Sequence, residues 1–67
     1  MNTKELEQAL INYAINEASS EDVAQVLKVD ADAIKGSLID FYDEWNEAEE
    51  PEDSDAVIDK WVKFFTR

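Results

Sequence analysis

The chain of 67 residues contains no cysteine and no histidine, and only one glycine and one proline. Without thiols or imidazoles it can form no disulfide, no thiolate or imidazole metal site and no Cys- or His-based nucleophile–base pair. Gly36 and Pro51 alone leave little material for tight hairpin turns. No glycine-rich phosphate loop is present. No apolar run approaches the roughly 20 residues that span a bilayer. The segment Met1-Asn2-Thr3-Lys4-Glu5 lacks the basic-then-apolar pattern of a secretory signal. The expectation is a soluble cytoplasmic protein that is not an enzyme and has no cofactor, metal site or membrane partner.

Cations are scarce as well. Six Lys and Arg face 17 Asp and Glu, for a net charge of −11. Between Lys35 and Lys60 stand ten acids and no cation, so residues 40–59 carry −10 of that net charge. DNA, RNA and anionic lipid are poor direct partners for such a chain, because binding them requires cations that displace condensed counterions. A basic protein surface is the natural complement.

Apolar material is plentiful: 45% of residues are hydrophobic and seven are aromatic. That is too much for a disordered acidic tail. A chain this short buries only about 60% of the surface its unfolded form exposes, so its core must be efficient or a partner must help. The apolar period is helical throughout and predicts an all-α, single-domain bundle of three to four helices, approximately 3–18, 20–28, 31–49 and 54–66. Asn2 with Glu5 has capping-box spacing at the first start, and Ser19 with Asp22 at the second. Asp30 is the expected N-cap of the third helix, and Asp53 or Ser54 that of the fourth.

Leu6, Leu10, Tyr13 and Ala14 form the main stripe of the first helix, widened by Ile11, Ile15 and Ala18. Val23, Val26 and Leu27 should be buried from the second. In the third, Ile34, Leu38, Phe41, Tyr42 and Trp45 fall within about 100° of arc, and Gly36 invites a close helix contact. Val57, Ile58, Trp61, Val62, Phe64 and Phe65 make a wide apolar face on the fourth, with Lys60, Lys63 and Arg67 near its C-terminus.

Opposite the apolar face of the third helix lie Asp40, Asp43, Glu47 and Glu50, with Glu44 at the margin. Steps of three or four residues separate their carboxylates by about 4.5–6 Å of helix rise, close to the spacing of phosphates along one nucleic-acid strand. Glu49, Glu52, Asp53 and Asp55 carry the charge around the turn at Pro51. Like charges at these spacings cost a few tenths of a kcal/mol each, and no cation nearby in sequence relieves them. The nine residues from Asp40 to Asp55 are therefore the candidate partner-binding surface, centred on Asp43, Glu47 and Glu50. In type, such a design resembles the small acidic DNA-mimic inhibitors of phages and mobile elements, which implies a nucleic-acid-binding protein as the target. The same acids could instead serve solubility or a salt-loving proteome. In that case the apolar C-terminal helix face, Trp61, Phe64 or Phe65, is the candidate contact for self-association or assembly, and the protein is a monomer or a homodimer.

Three other patterns fall short. Residues 20–38 resemble a helix-turn-helix through Val23, Ala24, Leu27, Val29 and Ile34, but Lys28 replaces the turn glycine and Ser37 an apolar residue. The second helix then opens with Asp30, Ala31, Asp32 and Ala33, where a base-reading helix presents Arg, Lys, Asn or Gln. A calcium loop beginning at Asp30 would need glycine at 35 and glutamate at 41, which are Lys and Phe. Ser37-Leu38 is similar to the modified-serine site of acyl carrier proteins, yet Gly36 stands where that site has aspartate.

Overall fold

A helix begins and ends where the backbone finds substitute partners for its orphan terminal groups. In this chain those partners set boundaries that apolar spacing does not encode. The computed structural model describes residues 3–66 and contains α1 (Thr3–Ala14), α2 (Ser20–Leu27), α3 (Ala31–Glu47) and α4 (Pro51–Phe65). Among the described residues there is no strand. The all-α expectation holds. The Asn2 cap and the Arg67 cation lie outside the described residues.

The first helix stops at Ala14, four residues short of the expected end. Asn16 adopts the left-handed conformation (φ 64°), the Asn16 N–H donates to the Tyr13 carbonyl at 3.1 Å, and the Glu17 N–H to the Asn12 carbonyl at 2.8 Å. That pair of bonds is a Schellman stop. Ile15 consequently leaves the helical stripe and is 48% exposed. The second helix ends in the same way. Lys28 takes φ 60°, with Lys28 N–H to Gln25 carbonyl at 3.3 Å and Val29 N–H to Ala24 carbonyl at 3.1 Å. Lysine thus occupies the left-handed turn position, and Val29 beyond it is exposed rather than packed.

Starts follow the same logic. The Ser19 N–H donates to the Asp22 carboxylate at 2.9 Å, the return half of the expected capping box. Asp30 holds the N-cap position of α3, although its carboxylate makes no capping bond. The largest correction is at Pro51. Proline forces its predecessor into extended geometry, and Glu50 (φ −113°, ψ 149°) thereby becomes the N-cap of α4, with Pro51 in its first turn. A missing N–H is harmless there, because that group would have no intrahelical partner. The helix begins at Pro51 instead of residue 54, and neither Asp53 nor Ser54 is its cap. α3 ends at Glu47 rather than 49, its last turn closed by the Ala48 N–H on the Glu44 and Trp45 carbonyls.

The helices pack as a ring: α1 against α2 and α4, and α3 against the same two. Leu6, Ala9, Leu10 and Ala14 meet Val23, Ala24 and Leu27, then Ile34, Leu38 and Phe41, then Ile58, Trp61 and Val62. Phe41 is fully buried at the crossing point. Its ring centroid lies 6.2–6.3 Å from those of Tyr13, Trp45 and Trp61, which joins three helices through aromatic contacts. Tyr13 also meets Tyr42 edge-on at 6.2 Å. The radius of gyration is 10.8 Å, against about 11 Å for a compact chain of this length. Two expectations fail at the surface. Phe64, part of the apolar face expected on the fourth helix, is 42% exposed rather than packed, and no atom of another element comes within 4 Å of a Cβ built on Gly36. Gly36 therefore serves no close helix contact.

Because Gly36 sits inside α3 with open space around it, Gly36→Ala should stabilise the protein by about 0.5–1 kcal/mol through lower unfolded-state entropy. Urea unfolding followed by circular dichroism measures this as a higher midpoint at unchanged slope.

Candidate interaction surface

The fold divides the nine candidate acids into three physically different groups. Glu44 belongs to the interior design. Its Oε1 accepts from Lys60 Nζ at 2.7 Å, and its Oε2 accepts from the indole Nε1–H of Trp61 at 3.0 Å. Trp61 is 6% exposed, and a buried donor without a partner costs about 1–3 kcal/mol. Glu44 removes that penalty and pins α4 to α3. Lys60 also lies 5.5 Å from the Trp61 ring centroid, in cation–π range. Rather than serving the end of α4, Lys60 neutralises Glu44, and Lys63 alone occupies the last turn. Glu44 is thus spoken for within the chain and is the weakest of the candidate partner-binding residues.

The second group complements a helix dipole. Glu50 caps α4, and Glu52 and Asp53 occupy its first turn. The helix N-terminus carries about half a positive charge, so each acid there gains roughly 0.3–1 kcal/mol. Glu50 is accordingly no part of the stripe on α3. That stripe contains Asp40, Asp43 and Glu47.

The third group has no such compensation. Asp40, Asp43 and Glu47 are exposed on the outer side of α3, Glu49 on the connection 48–50, and Asp55 one turn into α4. Glu47 and Glu49 stand at the C-terminal end of α3, where the dipole opposes negative charge. Between described residues there are two ion pairs, Lys60–Glu44 and an exposed Lys63–Asp59 pair at 3.0 Å. Eight of the nine candidates, all but Glu44, therefore have no cation within ion-pair distance among the described residues. Nor do three carboxylates converge closely enough there to hold a metal ion.

Asp40, Asp43 and Glu44 form one lip of an open groove between α3 and α4, and Lys60, Trp61 and Phe64 form the other. Trp61, Phe64 and Phe65 make a mutual aromatic cluster with centroid separations of 5.0–5.9 Å. The acidic face and the exposed part of the C-terminal aromatic face, which spacing treats as separate features, are thus neighbours. No local pattern signals this, because the pairing of Glu44 with Lys60 and Trp61 spans 16 and 17 residues. The segment 20–38 folds as two packed helices whose second begins with exposed Asp32 and Ala33, and Ser37 lies half-buried inside α3. No helix among the described residues is long and apolar enough to cross a membrane. Compared with known proteins, the chain matches no family model, and no curated protein or solved structure is significantly similar to it.

The division separates stability from surface charge in a measurable way. Glu44→Ala should destabilise by about 1–3 kcal/mol by orphaning the Trp61 indole N–H, whereas exposed Asp43→Ala should stay within about 0.5 kcal/mol of the parent; paired urea titrations decide it. Glu47→Lys, which removes repulsion with Asp43 and suits the α3 C-terminus, should stabilise by about 0.5–1 kcal/mol. The parent's Tm should climb with added NaCl as the self-repulsion is screened, and the Glu47→Lys protein should climb less. Calorimetry across a salt series reads both.

Proposed function

We propose that this is a non-enzymatic binding protein whose acidic surface docks on a basic protein surface, inhibiting or regulating a nucleic-acid-binding protein by charge mimicry. One observation carries the reading: after folding, Asp40, Asp43, Glu47 and Glu49 remain exposed with neither a cationic partner among the described residues nor a helix N-terminus to offset them. They stand on a helix face and its adjoining connection, held by the Glu44–Trp61 and Glu44–Lys60 bonds. A rigid array of this kind presents its charges without first losing the conformational entropy of a disordered tail. Glu50, Glu52, Asp53 and Asp55 extend the same field around the turn. Uncompensated charge costs stability, and surfaces that trade stability for recognition commonly carry such strain.

The reading is tested with a triple reversal, Asp43→Lys with Glu47→Lys and Glu49→Lys. This spares both Glu44 and the α4 N-terminus. The parent, immobilised and exposed to nuclease-treated native lysate at low salt, should retain basic proteins that are released at about 1 M NaCl, where the Debye length is about 3 Å. Retention should vanish for the triple variant while its helical circular dichroism is unchanged. Equal retention by parent and variant, or retention that survives high salt, would overturn the reading. The latter result would point instead to an apolar contact through Phe64.

A further inference from the structure

The groove between α3 and α4 specifies the chemistry of the basic partner, and its assignment rests on the acidic-surface reading. It is an open depression of about 490 Å³, lined by Asp40, Asp43, Glu44, Lys60, Trp61 and Phe64. Its volume lies in the range of sites that enclose small-molecule-sized groups, about 300–1,000 Å³. Two lining carboxylates, Asp40 and Asp43, have no cationic partner among the described residues. Opposite them Phe64 keeps 42% of its surface in solvent.

We propose that this groove receives an arginine side chain from a basic protein segment, its guanidinium held by Asp40 and Asp43 and its stem laid against the exposed part of Phe64.

Charge complementarity selects a cation, and the exposed Phe64 on the facing lip selects which one. Guanidinium is planar, more weakly hydrated than ammonium and able to stack on rings while forking to carboxylate oxygens. Lysine offers a compact, strongly hydrated point charge without a stacking face. The chain itself demonstrates the compatibility of a cation with this environment. Lys60 places its ammonium 2.7 Å from Glu44 and 5.5 Å from the Trp61 ring centroid, but it satisfies Glu44 alone. Asp40 and Asp43 lie one step further along the same lip. A second copy of this chain is the poorer occupant, because facing grooves would bring two such acidic lips together. A nucleic-acid strand is excluded by the same sign of charge.

The test uses a hexa-arginine and a hexa-lysine peptide at about 0.15 M salt, with a Debye length of about 8 Å. Binding is followed by amide and indole NMR shifts on the full chain. The arginine peptide should bind several-fold tighter than the lysine peptide, and shifts should concentrate on residues 40–44, 60–64 and the Trp61 indole N–H. The double variant Asp40→Asn/Asp43→Asn should lose about tenfold, about 1.4 kcal/mol. The charge-matched pair Glu47→Gln/Glu49→Gln, on the same acidic face but outside the groove, should lose less, about threefold. Equal losses in the two pairs, or no preference for arginine, would overturn the groove assignment while leaving the acidic-surface reading intact. Absence of binding by either peptide would overturn both. Self-association in light scattering, abolished by Phe64→Ser, would assign the groove to a second copy and refute the proposal.

Discussion

The carboxylate of Glu44 is the interaction on which the arrangement of this protein turns. A short chain cannot spare a large aromatic residue, yet a tryptophan can be buried only if its indole N–H finds an acceptor. Glu44 supplies that acceptor from α3, and its second oxygen takes the ammonium of Lys60. Once Trp61 is seated, its ring packs against Phe41, and Phe64 and Phe65 gather around it. α4 is then fixed against α3, and the outer acids of α3 share one rigid surface with the N-terminal acids of α4. The exposed ion pair alone would contribute little, roughly 0–1 kcal/mol. The indole bond, which removes an unsatisfied donor, is the larger effect.

The charge is distributed against this framework unevenly. Glu50, Glu52 and Asp53 are placed by Pro51 at a helix N-terminus, where negative charge is favourable. Asp59 has Lys63 four residues on. Glu47 and Glu49 receive the opposite treatment, since they crowd the end of α3 whose carbonyls already point outward. A fold under pressure only for stability could relieve this with one lysine, and no lysine occurs between residues 35 and 60. The strain is small at each site, a few tenths of a kcal/mol. It nonetheless accumulates on a domain whose whole stability is of the order of 0.05–0.15 kcal/mol per residue.

Much of the fold is legible in the sequence because burial imposes a period. Ile34, Leu38 and Phe41 can face the core together only on a helix, and the structure buries all three. The starts at Ser19 and Asp30 are legible because their side chains or position match the needs of a helix N-terminus. The stops are not. Asn16 and Lys28 both enter left-handed geometry without being glycine; asparagine tolerates that geometry, but Ile15 and Ala18 carry the apolar spacing past it, and lysine gives no signal at all. Pro51 reads in the sequence as a breaker of α3, but it is also the first residue of α4, since its effect on Glu50 serves both ends of the connection. Of the candidate surface, exposure is legible from phase. The role of Glu44 and the nearness of Phe64 to Asp40 and Asp43 depend on contacts across the α3–α4 pair, which no local pattern carries.

Solubility and recognition make different demands on acidic residues, and the distribution of charge weighs between them. Charge that merely keeps a protein dispersed can sit anywhere on the surface and is normally interleaved with lysine. Residues 1–39 come nearer to that habit, with seven acids against Lys4, Lys28 and Lys35, although five of the acids fall between Lys4 and Lys28. Residues 40–59 depart from it, and the departure coincides with the part of the surface that borders an aromatic groove. A salt-loving proteome would explain acidity over the whole chain, but it gives no reason for concentrating it beside Trp61 and Phe64. A basic partner does. The acids would draw it in over a distance set by salt, and the exposed Phe64 would supply the short-range contact that charge alone lacks.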